Sequence, residues 1–139
     1  MPRRMLDTNV CIHAIRQNSP EVIRRLAELN PANTVISSIV AAELWTGVMK
    51  SRQRRQSEQA LKTFLNFVEV LDWPVSAAQV YGQIRTALEA KGKLIGPMDL
   101  LIAAHALSER FTLVTRNIDE FARVEGLKLE SWAERTSGH

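Results

Sequence analysis

The chain has 139 residues, 45% hydrophobic and 24% charged, a balance expected of one folded domain over 1–139 and not of a disordered segment. A formal net charge of +3 permits an anionic partner such as nucleic acid without demanding one. Cys11 is the single cysteine, which excludes an intramolecular disulfide and a cysteine-based zinc site and fits a reducing, cytoplasmic compartment.

Arg3 and Arg4 are not followed by an apolar core region, so no signal peptide is expected at this end. Met5-Leu6 close a short first strand ahead of Asp7, and a helix is expected from Thr8 to about Gln17. Within it, Val10-Cys11-Ile12 makes Cys11 a packing residue. Ser19-Pro20 reads as an N-cap with proline at the first helical position, opening a second helix through Leu29 that Asn30-Pro31 breaks. Thr34-Val35-Ile36 is β-prone. Ser37 or Ser38 then caps a helix with Val40, Leu44 and Val48 on one face.

Leu61, Phe64, Leu65 and Val68 recur at helical spacing within 56–68, and Val68 to Leu71 reads as a short strand ending at Asp72-Trp73-Pro74. A longer helix is expected from Ser76 to about Lys91, with Ala77, Val80, Tyr81, Ile84 and Leu88 as its buried stripe and Gly92 as its stop. Gly96-Pro97 opens another helix whose interior, Leu100 to Ala104, is apolar nearly all round and therefore buried on most sides. That run is the longest purely apolar one and far too short to span a bilayer, so no membrane association is expected. Phe111 to Thr115 is a strand, Asp119 to Val124 a short helix, and Leu127-Lys128-Leu129 an edge strand. Strands alternating with helices predict an α/β fold, a mostly parallel sheet between helical layers. In such folds ligands bind beyond the carboxyl ends of the strands, where Asp7 and the Thr115-Arg116-Asn117 segment both fall.

Three acids stand out against that frame. Asp7 can cap the helix starting at Thr8, and Asp99 sits in the first turn after Pro97, where the helix dipole favours a carboxylate. Glu43 is harder to explain structurally. It lies three residues after Val40, on or beside the buried stripe, and an inward acid costs several kcal/mol unless paired or bound to a cation. Convergence of the three at one sheet edge would raise their pKa values, and no nearby Lys or Arg is an obvious neutraliser. A divalent cation would relieve the repulsion, and all-oxygen ligation points to Mg²⁺, with Mn²⁺ as the alternative. Thr8 and Asn9 are placed to hydrogen-bond around Asp7.

The opening Met5-Leu6-Asp7-Thr8-Asn9, the segment Ser37-Ser38…Glu43-Leu44, and Thr115-Arg116-Asn117…Glu120-Phe121 resemble the PIN-domain nucleases. Ile95-Gly96-Pro97-Met98-Asp99 with Leu101-Ile102-Ala103-Ala104-His105-Ala106 is similar, more narrowly, to the VapC toxins of bacterial toxin–antitoxin pairs. The resemblance covers nearly the whole chain. It implies a PIN-like three-layer α/β/α sandwich and a metal-dependent endoribonuclease restrained by a VapB-type antitoxin. It also implies a homodimer within a larger complex that meets DNA only through the antitoxin. By the same resemblance Asp7, Glu43 and Asp99 are metal-binding and catalytic acids. Many PIN domains place a fourth acid after the fourth strand; here that position holds Asn117, with Glu120 as the second choice. The Ile-Gly-Pro-x-Asp sequence is associated with cleavage of initiator tRNA in its anticodon loop, which extends the expectation to a tRNA substrate.

Lys50-Ser51-Arg52-Gln53-Arg54-Arg55 is the densest basic run, either a solvated helix end or an RNA-tracking patch, and Arg85, Lys91, Lys93 and Arg116 are rival RNA contacts. Trp45 and Trp73 read as core or interface residues before base-stacking ones. His105 lies six residues past Asp99, well round the helix from it, so no histidine enters the mechanism. The apolar faces Val22, Ile23, Leu26, Leu29 and Val40, Leu44, Val48 are candidate partner surfaces. Three other functions compete with the nuclease. A haloacid-dehalogenase-type phosphatase needs an Asp two residues after Asp7, where Asn9 stands, and a receiver-type phosphoacceptor needs its acids in another order. A non-catalytic binding module of the same fold is the remaining alternative.

Overall fold

Met5 and Leu6 leave no surface to solvent, and the strand they belong to, β1 (Arg4–Leu6), runs through the middle of the molecule. In chain order there follow α1 (Thr8–Arg16), β2 (Thr34–Ser37), α2 (Ser38–Lys50), α3 (Arg54–Phe64), β3 (Glu69–Leu71), α4 (Ser76–Ala90), α5 (Pro97–Glu109), β4 (Thr112–Val114), α6 (Ile118–Phe121) and β5 (Lys128–Glu130). This computed structural model describes residues 3–16 and 32–132. The expected helix from Pro20 to Leu29, with its apolar face, lies outside the described residues.

The strands form one sheet in the order β3-β2-β1-β4-β5, and every pairing is parallel. Met5 is in register with Val35 on one side and Leu113 on the other, while Leu6 faces Val114 and Ile36 faces Val70. Successive residues of a strand point to opposite faces, so a fully buried pair such as Met5 and Leu6 means that both faces of the central strands are covered. The expected α/β/α layering follows. The order also has a consequence for function. From β1 the chain moves outward through β2 and β3, then returns to place β4 on the other flank of β1. A crevice therefore opens beyond the carboxyl ends of β1 and β4, where ligands bind in open parallel sheets.

Local chemistry sets the ends of the elements. Ser37 is the N-cap of α2, its hydroxyl accepting from the Ile39 N–H at 3.2 Å. Gly92, at φ +66°, follows the end of α4 in the left-handed region that glycine enters at least cost, and Pro97 occupies the first turn of α5. The expected stripe of α4 holds, with Ala77, Ile84 and Leu88 buried and Val80 and Tyr81 packed at its margins. In α5, Leu100, Ile102, Ala103 and Ala104 are buried and Leu101 is half-buried.

The helix read over 56–68 differs in its bounds. It begins at Arg54 and ends at Phe64, because Arg54 and Arg55 of the basic run form its first turn and Leu65 already closes it. The Arg54 guanidinium donates to the Met49 carbonyl at 3.0 Å, satisfying a C-terminal group of α2. Part of that basic run is thus a helix–helix connection. Among the described residues no helix is long and apolar enough to cross a membrane.

Candidate functional site

Asp7 leaves β1 at the mouth of the crevice. Its backbone N–H extends the ladder to the Val114 carbonyl at 3.0 Å, and its Oδ1 accepts from the Val10 N–H at 2.9 Å, so it does cap α1. Capping is only part of its environment. Oδ2 accepts a hydrogen bond from the Thr115 hydroxyl, which joins the ends of β1 and β4 across the crevice. The side chain is buried, and that burial pushes its pKa upward. The hydrogen bonds from Thr115 and Val10 offset part of the rise, and the nearby Glu43 charge adds to it.

Glu43, half-buried on α2, accepts from the Thr8 hydroxyl at the head of α1. Asp99, half-buried in the first turn of α5, is pushed up to about 7. Burial is the main cause, followed by a carboxyl–carboxyl hydrogen bond with Glu120 and by the charges of Glu120, Asp7 and Glu43. Asp99 therefore lies within the field of the other three acids, which arrive from β1, α2 and α6. Glu120 carries a further mark: its Oε1 is buried and has no hydrogen-bond partner. No cation among the described residues pairs with any of the four. The ion pairs lie elsewhere, between Arg3 and Glu69, Arg4 and Glu130, Lys62 and Glu58, and Arg85 and Glu89.

Of the residues expected from the sequence, Asp7, Glu43, Asp99 and Glu120 are brought together. Asn117 is exposed: its backbone N–H donates to the Thr115 hydroxyl oxygen at 2.9 Å, and its side chain is not among the groups acting on Asp99. Thr115 was not singled out by the sequence as a functional residue. The available signal was a hydroxyl immediately after an apolar strand, inside a motif already placed at a strand end. Asn9 is exposed but its backbone N–H acts on Asp7, and the Thr8 hydroxyl supports Glu43. His105 is buried in α5 and held neutral, its pKa lowered to about 4 by burial, which agrees with leaving it out of proton transfer. Arg85 is engaged by Tyr81 and Glu89, and Arg116, next to Thr115, is exposed. Trp45 and Trp73 are half-buried against the core, as expected.

The donor set suits a hard divalent cation in kind. All four groups are carboxylates, one of their oxygens is buried and orphaned, and no Lys or Arg among the described residues pairs with them. Among the described residues, no three His, Cys, Asp or Glu side chains are already drawn close enough to grip an ion. Loading it therefore entails side-chain adjustment. Beside the acids, a groove of about 280 Å³ runs between α1, α2 and α3; Ile12, Ile15, Leu44, Val48 and Leu61 line it together with Glu43.

Residues 4–127 match the PIN domain family model. The chain is 47% identical to ribonuclease VapC2 of Rickettsia felis over 129 residues, covering 92% of this chain and 96% of that protein. It is 42% identical to the tRNA(fMet)-specific endonuclease VapC of Salmonella typhimurium over 132 residues, 95% of this chain and 99% of the other. Among solved structures, it resembles VapBC2 of Rickettsia felis bound to a promoter DNA fragment, with TM-score 0.87 and 45% identity over 93% of this chain and 98% of that one. DNA-bound VapBC from Salmonella typhimurium gives TM-score 0.89 and 38% identity, covering 96% of this chain and 100% of that one.

Proposed function

The chain belongs to the PIN-domain family as a VapC-type toxin ribonuclease, and we propose that Asp7, Glu43, Asp99 and Glu120 are its catalytic centre for hydrolysing RNA phosphodiester bonds. One observation carries the assignment: Asp99 feels three further carboxylates from three other elements, and no cation among the described residues pairs with them. Such crowding is costly unless an ion enters. Mg²⁺, with Mn²⁺ as its substitute, is the ion these oxygens favour, and Asp7, Asp99, Glu43 and Glu120 would hold it. When bound, it supplies Lewis-acid stabilisation of phosphoryl charge and makes water a stronger nucleophile near neutral pH.

The chain's own groups prepare that site. Thr115 and the Val10 N–H fix both oxygens of Asp7, and Thr8 fixes one of Glu43, so two acids enter the reaction with their orientation settled. Asp99, whose pKa is raised by burial and by neighbouring Glu120, must give up its proton before it can ligate. Asn117, exposed beside Thr115, is available to the substrate. With Glu120 in the fourth acidic place, no specific observation favours the non-catalytic binding module.

The substrate we propose is initiator tRNA, on the likeness to proteins named tRNA(fMet)-specific endonucleases and on the Ile95-Gly96-Pro97-Met98-Asp99 segment. The proposed partner is a VapB-type antitoxin, since the similar solved structures are VapBC complexes. The groove sharing Glu43 with the acids is a suitable seat for one of its apolar segments. A homodimer within the toxin–antitoxin complex, meeting promoter DNA through the antitoxin, completes the proposal. Antitoxin-free protein incubated with initiator tRNA should cut it with Mg²⁺ or Mn²⁺ and stop on adding EDTA. Undiminished cleavage in EDTA, or by Asp7→Asn, would refute the reading.

A further inference from the structure

Two adjacent serines at the head of α2 are each tied to α5. Ser37 Oγ and His105 Nδ1 share a buried hydrogen bond of 2.8 Å. Ser38 Oγ accepts from the Trp73 backbone N–H at 3.1 Å, and the indole N–H of the same tryptophan donates to the Leu101 carbonyl at 2.9 Å. Leu101 and His105 are four residues apart, hence neighbours on one face of α5, while Ser37 and Ser38 are consecutive. The result is a two-point brace between the helix that carries Glu43 and the helix that carries Asp99.

We propose that the Ser37–His105 and Ser38–Trp73–Leu101 hydrogen bonds position Glu43 and Asp99 relative to each other for metal binding, making His105 and Trp73 positioning residues of the active site. The inference rests on the metal-site reading above and deepens it.

The physical case has three parts. First, hydrogen bonds fix distance and direction where apolar packing fixes mainly volume; the Ser37–His105 tie lies where water cannot readily compete, and the Trp73 tie is part-buried. Ser37 and His105 are buried, and His105 stays neutral, so this tie does not switch on and off near neutral pH. Second, the Ser37 hydroxyl oxygen also accepts from the Ile39 N–H, so the same atom caps α2 and docks it. Rotation of α2 about its own axis, which would swing Glu43, is opposed at its N-cap. Third, a carboxylate cluster that must draw in around an ion benefits most from helices that cannot slide, because small displacements of a ligand lower affinity steeply.

The test is Mn²⁺ binding by titration calorimetry on the full antitoxin-free chain, beside its thermal midpoint. Trp73→Phe keeps the ring and deletes the indole donor. His105→Leu deletes the tie to Ser37, and His105→Asn restores a polar group near the Nδ1 position. Phe64→Leu, in α3 away from the brace, supplies a loss of stability of another origin. Trp73→Phe and His105→Leu are each expected to raise the Mn²⁺ dissociation constant roughly tenfold, the lower end for groups that orient ligands. His105→Asn should recover most of the affinity, and Phe64→Leu should bind Mn²⁺ as the unmodified protein does. Unchanged affinity in Trp73→Phe and His105→Leu, or an equal loss in Phe64→Leu, overturns the brace. Failure of the unmodified protein to bind Mn²⁺ would instead overturn the metal-site reading beneath it.

Discussion

Thr115 donates its hydroxyl hydrogen to Asp7 although 108 residues separate them, and it accepts from the Asn117 N–H two residues on. One side chain therefore closes the crevice between β1 and β4 and orients the most deeply buried acid of the site. A hydroxyl suits the place because it donates to the carboxylate while accepting from the backbone.

Removing that donor should be visible. In Thr115→Val the volume is nearly kept but Asp7 loses a hydrogen bond that holds its carboxyl group down, so its pKa climbs further. RNA cleavage is expected to fall roughly tenfold or more. The folded state should lose about 1–3 kcal/mol at pH 8, the cost of a buried acceptor left short of a donor. Thr115→Ser should restore both. Equal activity in the valine and serine variants would sever Thr115 from the chemistry.

Asp7→Asn separates function from folding. Asparagine keeps a carbonyl oxygen for the Val10 N–H and removes a buried, unpaired charge, so the thermal midpoint in EDTA should hold or rise. Cleavage should drop by roughly two orders of magnitude, as expected when a metal-holding charge is removed. A melt well below that of the unmodified protein would show that Asp7 is needed chiefly as a cap.

Glu120 and Asn117 can be told apart directly. Glu120→Gln should weaken Mn²⁺ binding roughly tenfold or more, because it deletes one of the charges that converge on Asp99. Asn117→Ala should leave metal binding within about twofold, because its side chain stands outside that cluster. The reverse ranking in calorimetry would move the fourth ligand to Asn117.

The pH dependence has a definite sign. Asp99 titrates near 7 in the folded chain against 3.8 for the free side chain, so between these values the folded state holds a proton that the unfolded state releases. Its contribution to stability is thus present below about 3.8 and is lost as pH rises toward about 7. A divalent ion competes with that same proton. Mn²⁺ affinity should therefore fall as pH drops below about 7, and Mg²⁺ should raise the thermal midpoint more at pH 8 than at pH 6. A metal-induced shift independent of pH across that range would count against Asp99 as a ligand.

Much of the scaffold was legible before any coordinates. Gly92 and Gly96-Pro97 mark where one helix stops and the next begins, because left-handed φ and a missing N–H are properties of single residues. The stripes of α2 and α4 follow from period alone. The first turn of α3 was missed because Arg54 and Arg55 carry no apolar signal, and their helical state depends on packing elsewhere in that helix.

The primary structure alone determined the order of elements and three of the converging acids, since strand-ending Asp7, inward Glu43 and first-turn Asp99 follow from local pattern and the energetic cost of burying charge. Only the tertiary structure decided that Glu120 comes within the field at Asp99 while Asn117 is exposed, and that Thr115 bonds Asp7, Thr8 bonds Glu43 and Ser37 bonds His105. The reason is that hydrogen bonding acts over about 3 Å in space. Which groups come that close is set by how helices and strands pack, and no interval along the chain records it.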